Sequence, residues 1–159
     1  MAANCIRSLL LTPSPTPADH SIARYLFPRL IAFVTDTNPE DPVGARAIVA
    51  QTLTQYVASL PQSQRPDGEK RLAAGMGLVV AALLARARGD GEPSFADTKK
   101  DLLALAGAEQ GVFRAVVAGL GAAQRAFLGE VIRSGGGARE DSGGGGGAPA
   151  IQLKMDFGA

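Results

Sequence analysis

Tryptophan is absent from this chain of 159 residues, cysteine and histidine occur once each, and aromatic residues make up only 5%. A single cysteine, Cys5, excludes an internal disulfide and any multi-cysteine zinc site, and it fits a reducing compartment. A single histidine, His20, sits beside Asp19 in the first turn of a predicted helix, where both read as solvated capping residues rather than a general base with an oriented partner. Charge of either sign is not in excess: 16 Lys and Arg stand against 15 Asp and Glu, for a net +1. A chain so close to neutral has no overall field to draw it onto nucleic acid or anionic lipid, and it shows no basic stripe with interleaved aromatics. A long apolar leader is also missing. Leu9-Leu10-Leu11 is shorter than the ~7–15 residues a signal peptide needs, so the segment reads as a helix following something upstream.

What is present is aliphatic. Hydrophobic residues reach 46%, and with so few aromatics the core must be Leu, Val, Ile and Ala, which suits helix-on-helix packing. Helix starts are plain. Thr16-Pro17-Ala18-Asp19 offers a capping hydroxyl, a proline at the first helical position and an acid facing the positive end of the dipole. Asn38-Pro39-Glu40-Asp41 and Ser94-Phe95-Ala96-Asp97 repeat most of this pattern, and Pro66-Asp67 opens another helix.

Between these signals the apolar period is 3.6. Ile22, Leu26, Leu30 and Phe33 share one face, on a helix that Pro28 should kink. Ala45, Val49, Leu53, Tyr56, Val57 and Leu60 share the next; Val112, Phe113, Val116, Val117 and Leu120, then Phe127, Leu128, Val131 and Ile132, follow. Leu72 to Ala85 carries no polar side chain. Its 14 residues rise only about 21 Å, short of a ~30 Å bilayer core, so this is a central helix rather than a membrane insertion. Gly75 and Gly77 should let a neighbouring helix approach closely. The fold expected is all-α, with about seven helices at 3–11, 17–34, 40–60, 66–88, 94–106, 109–118 and 121–134. That pattern fits a closed bundle or a stack of helix pairs, and no sequence repeat decides between them.

Composition changes after the helical part, 1–134. Residues 135–150 are Gly-rich and read as a flexible, disordered linker. Residues 151–159 then alternate apolar and polar: Ile151, Leu153, Met155 and Phe157 fall on one side of an extended segment, Gln152, Lys154 and Asp156 on the other. We read this as a protein-docking motif on a tether, anchored by Leu153 and Phe157.

Nothing reads as a catalytic site. Gly75-Met76-Gly77 follows no strand, Gly119-Leu120-Gly121 lacks the Lys-Ser or Lys-Thr of a phosphate loop, and Glu40-Asp41 sit where capping acids belong. Arg86 and Arg88 close a helix where cations suit the dipole, and Lys99-Lys100 between Asp97 and Asp101 reads as a solvated mixed face. No enzyme activity, cofactor or metal is expected.

Cys5-Ile6-Arg7-Ser8-Leu9-Leu10-Leu11 with Ile22-Ala23-Arg24-Tyr25-Leu26-Phe27-Pro28-Arg29-Leu30 resembles the last repeats of the very large HEAT-repeat accessory proteins of the trans-Golgi and endosomal clathrin adaptor. Phe113-Arg114-Ala115-Val116-Val117-Ala118-Gly119-Leu120 and Ile151-Gln152-Leu153-Lys154-Met155-Asp156-Phe157 are similar to the end of that family, the fungal members most of all. The resemblance implies an α-solenoid of HEAT-like helix pairs, upstream HEAT repeats in a longer chain, the adaptor complex or its co-factors as protein partners, and a cytoplasmic place at trans-Golgi or endosomal membranes. The function it implies is a non-enzymatic scaffold in Golgi–endosome vesicle transport. A karyopherin-like or other helical-repeat cargo binder is the alternative, disfavoured because importin-type binding needs acidic runs and this chain has none.

Overall fold

A computed structural model describes residues 5, 8, 19–36, 44–60 and 68–135, with the backbone alone described for 19–24. Cys5 and Ser8 are helical and exposed. Six helices follow: α1 (Asp19–Thr35), α2 (Ala45–Ser59), α3 (Gly68–Asp90), α4 (Phe95–Ala108), α5 (Gln110–Gly119) and α6 (Ala122–Ser134), with a 3-10 turn at Glu92–Ser94 before α4. The expected cap at Thr16 to Ala18, the start at Asn38 to Asp41, the opening at Pro66-Asp67 and the tail from 136 onward lie outside the described residues.

Two boundaries differ from expectation for local reasons. The second helix begins at Ala45 rather than 40, because Gly44 takes φ 86°, a left-handed conformation that a right-handed helix does not contain. Ser94 does not cap α4. Its hydroxyl instead donates back to the Gly91 carbonyl at 2.8 Å, which closes the 3-10 turn. Pro28 lies inside α1 without ending it, and its ring is on the exposed side.

The packing order identifies the architecture. Each helix from α1 to α4 packs on the next one and on the next but one. Thus α1, α3 and α5 lie side by side in one layer, α2 and α4 in the other, and α3 also touches α6. A closed bundle would bring its first and last helices together, but α1 and α6 share no extensive interface. This is an α-solenoid of stacked helix pairs.

Directions follow from four contacts. Arg46, at the start of α2, donates to the Asp36 carbonyl at 2.7 Å and pairs with Asp90 at 3.0 Å, so the ends of α1 and α3 lie together. Val57, near the end of α2, lies against Gly75, and Gly77 faces Val116 of α5. The regular stacking ends at Leu120-Gly121. There α6 leaves α5 and packs on α4, with Gly135 seated against the Phe95 carbonyl and Lys99. The break is tied by Arg125, which donates to the Ala118 carbonyl at 3.4 Å, and by the Gly121 N–H donating to Gln124 at 3.3 Å.

As expected, α3 is the central helix, the one element in contact with all five others. Met76, Val79, Val80, Leu83 and Ala87 are buried on it, and Val34, Leu53, Val57, Leu102, Leu105, Leu128 and Val131 complete the core around it. At 23 residues α3 is long and apolar enough to cross a membrane, but half of its most apolar window is buried within the protein, as befits a core helix. It is not apolar-packed on every side: Ala74, Leu78 and Ala85 are exposed.

The expectation of glycine-enabled close approach needs correcting. A Cβ at Gly75 would stand 3.7 Å from Val57 and one at Gly77 4.0 Å from Val116, both ordinary contacts. Neither glycine is therefore required. Gly75→Ala and Gly77→Ala are each expected to raise stability by about 0.5–1 kcal/mol, the helix-propensity gain, measured by urea unfolding. A loss at either position would show that the helices approach more closely than this packing allows.

Candidate functional site

The predicted docking residues Ile151, Leu153, Met155 and Phe157 lie outside the described residues, as does the side chain of His20. Gly75-Met76-Gly77 is in the interior of α3, and Gly119-Leu120-Gly121 is the α5–α6 break. Among the described residues no group of three His, Cys, Asp or Glu side chains is placed to hold a metal. The structure instead brings together two features that the sequence did not single out.

The first is a buried ionic cluster where α2, α3 and α4 meet. Arg86, read from sequence as a helix-closing surface cation, has a side chain only 4% exposed. Its Nε donates to Asp90 Oδ2 at 3.3 Å, and an Nη lies 3.9 Å from Asp97. Asp90 is shared with Arg46 at 3.0 Å, which ties α2 to the same point. Asp101, one turn after Asp97, is buried rather than on a solvated face. Burial pushes its carboxyl up to about 6; nearby Asp97 adds to the rise, while Arg86 and Lys100 oppose it. Arg86 Nη1 and Thr98 Oγ1 are buried here without a hydrogen-bond partner, and Thr54 Oγ1 on α2 likewise. Desolvation offsets much of the attraction in such a cluster, so its net contribution to stability is small although stripping one partner is costly.

The second feature is the outer face of the α1, α3 and α5 layer. On α3 the exposed residues along this face are Arg71, Ala74, Leu78, Ala85 and Arg88, with Ala81 half-buried among them. Leu78 is 51% exposed. On α1, Tyr25 is 67% exposed, and the Arg29 guanidinium lies over its ring at 4.5 Å with an Nη 3.4 Å from the hydroxyl. Arg88 is not free in the same way, since its guanidinium sits 4.9 Å over the Phe127 ring of α6. Large exposed hydrophobics elsewhere are Ile48 on α2 and Leu103 on α4; α5 and α6 have none. The sequence could have signalled Tyr25 and Arg29 through their four-residue spacing, which suits such a pair on one helix face.

Stacked helix pairs with apolar outer faces are what a helical-repeat interaction module presents. Residues 1–145 match the family described as LAA1-like, C-terminal TPR repeats. Searches of curated proteins and of solved structures return no match. The family description names TPR where the residues were read as HEAT-like; both are stacks of antiparallel helix pairs, and the two-layer order observed accommodates either name. The chain belongs to the LAA1-like family, as its C-terminal TPR-repeat region.

Proposed function

We propose that the chain is a non-catalytic interaction scaffold of clathrin-adaptor-dependent transport between Golgi and endosomes, working on the cytoplasmic face of those membranes. The adaptor complex or its co-factors are the partners, as in the fungal accessory proteins it resembles. The observation that carries the scaffold part is the unequal finish of the two ends of the stack. Ile48, 42% exposed, lies on the side of α2 turned away from α3 and α4, where a preceding helix would stack, whereas α5 and α6 expose no large hydrophobic side chain. Terminal repeats of a solenoid carry a polar outer face, and internal repeats do not. The α1–α2 end is therefore the surface for upstream repeats, and α5–α6 is the cap. The segment Ile151 to Phe157 is a tethered docking peptide in this reading, supported by its strict alternation.

Purified chain is expected to bind the purified adaptor complex and, as a tagged protein, to concentrate on trans-Golgi and endosomal membranes only in cells that contain the adaptor. Hydrogen exchange on 1–159 and 1–150 with the adaptor present separates the tail from the body. Diffuse staining together with no adaptor binding would overturn the transport role. Free-peptide exchange at 151–157 in every mixture would remove the tail from it.

A further inference from the structure

We infer that the outer face of the α1–α3–α5 layer is a docking strip for a short acidic peptide of a partner protein, one with an apolar side chain between two carboxylates. The inference deepens the scaffold reading and rests on it.

The level of each residue along the stack follows from the Arg46 bridge. Arg46 holds Asp36 and Asp90 together, and α1 and α3 both run antiparallel to α2, hence parallel to each other. Tyr25 is eleven residues before Asp36 and Leu78 twelve before Asp90, so they stand at one height on adjacent helices. Gly77 faces Val116, which puts exposed Ala115 at that height on α5. Tyr25, Leu78 and Ala115 thus form an apolar band across the layer.

Three exposed cations line this band: Arg29, Arg71 and, beside Ala115 on α5, Arg114. The Arg29 guanidinium, stacked on the Tyr25 ring, stands at the band's own height, level with residue 79 of α3, and Arg71 is eight residues away, about 12 Å along the axis at ~1.5 Å per residue. Among the described side chains no exposed carboxylate lies between them; Glu69 is in the first turn of α3, Glu109 precedes α5, and Asp19 of α1 is described by its backbone alone. An extended peptide covers about 12 Å in roughly four residues at ~3.4 Å each. The complementary ligand therefore has two Asp or Glu about four residues apart with Leu or Phe between them.

Two further properties suit this strip to binding. The Arg29 guanidinium is already stacked on Tyr25, so its fork is oriented before a carboxylate arrives. Tyr and Arg are also the residue types that concentrate binding energy at interfaces.

The test is fluorescence anisotropy on the full chain with a labelled decapeptide carrying a central Leu-Phe and two Glu four residues apart. Its twin with Gln for Glu, and a peptide copy of residues 151–157, serve as competitors. Binding of the Glu peptide is expected at least tenfold tighter than of the Gln twin. It should weaken at least tenfold in Leu78→Asp and in the Arg29→Glu, Arg71→Glu pair, and stay within twofold in Leu103→Asp on the opposite layer. Circular dichroism identifies any variant that fails to fold, and the charge-reversal pair then decides alone. Equal binding of the Glu and Gln peptides, or equal loss in Leu103→Asp, would overturn the proposal. So would stronger displacement by the 151–157 peptide, or a dimer abolished by Leu78→Asp, because the strip would then belong to the tail or to a second copy. The scaffold reading survives all four outcomes, since Ile48 and the adaptor assay test it separately.

Discussion

Replacing Arg86 by Ala is expected to cost about 3 kcal/mol at pH 7, seen as a fall in Tm of roughly 10 °C. The guanidinium is almost wholly buried between Asp90 and Asp97 and lies near Asp101. Removing it leaves the Asp101 carboxylate in the interior with no cation from α3. Stripping one partner from a buried ionic group costs ~3–5 kcal/mol, and the lower end applies because Asp90 retains Arg46 and Asp97 is exposed. The same substitution in an Asp101→Asn background should cost clearly less, since the orphaned charge is then gone. A double-mutant cycle measures the difference. Strict additivity would show that Arg86 acts through Asp90 alone.

Asp101 itself should make the chain more stable on mild acidification. An unfolded aspartate titrates near ~3.9, whereas burial raises this carboxyl to about 6 in the folded chain. Between those values the folded state holds a proton that the unfolded state lacks. The resulting stabilisation is fully present below about pH 4 and is lost as pH rises through about 6. Its size is about 1–2 kcal/mol after allowance for solvent at the open edge of the cluster. Asp101→Asn should therefore gain stability at pH 7 and lose this component of the pH dependence. Urea unfolding of both proteins from pH 5 to pH 7 checks it, and parallel pH curves for the two would show that Asp101 is well solvated.

The helices were readable because their signals are local. The 3.6-residue stripes and the Gly119–Gly121 break placed α3, α4, α5 and α6 within two residues of where they lie. The N-terminal end of α2 was misplaced because Glu40-Asp41 has the composition of a helix start, and nothing in the letters said that Gly44 would turn left-handed. Asp101 was illegible for another reason. Between Lys99, Lys100 and Asp97 it has the sequence context of a surface residue, and only the crossing of α4 with α2 and α3 buries it. Leu78 is the converse case. In a run apolar on all sides, period gives no direction, so the exposed line had to come from the neighbours α1 and α5.

The two ends of the stack do not meet, and this has a consequence for scale. From α1 to α4 each helix packs on the next two, and only α3 reaches further, to α6, so nothing at the α1–α2 end dictates how many pairs there are. A pair added before α1 would leave the surroundings of α6 untouched and would contribute one more interface of the same kind. Spacing between docked partners would then grow in equal steps with the number of pairs. An array of that kind would work as an extensible ruler, counted from α6.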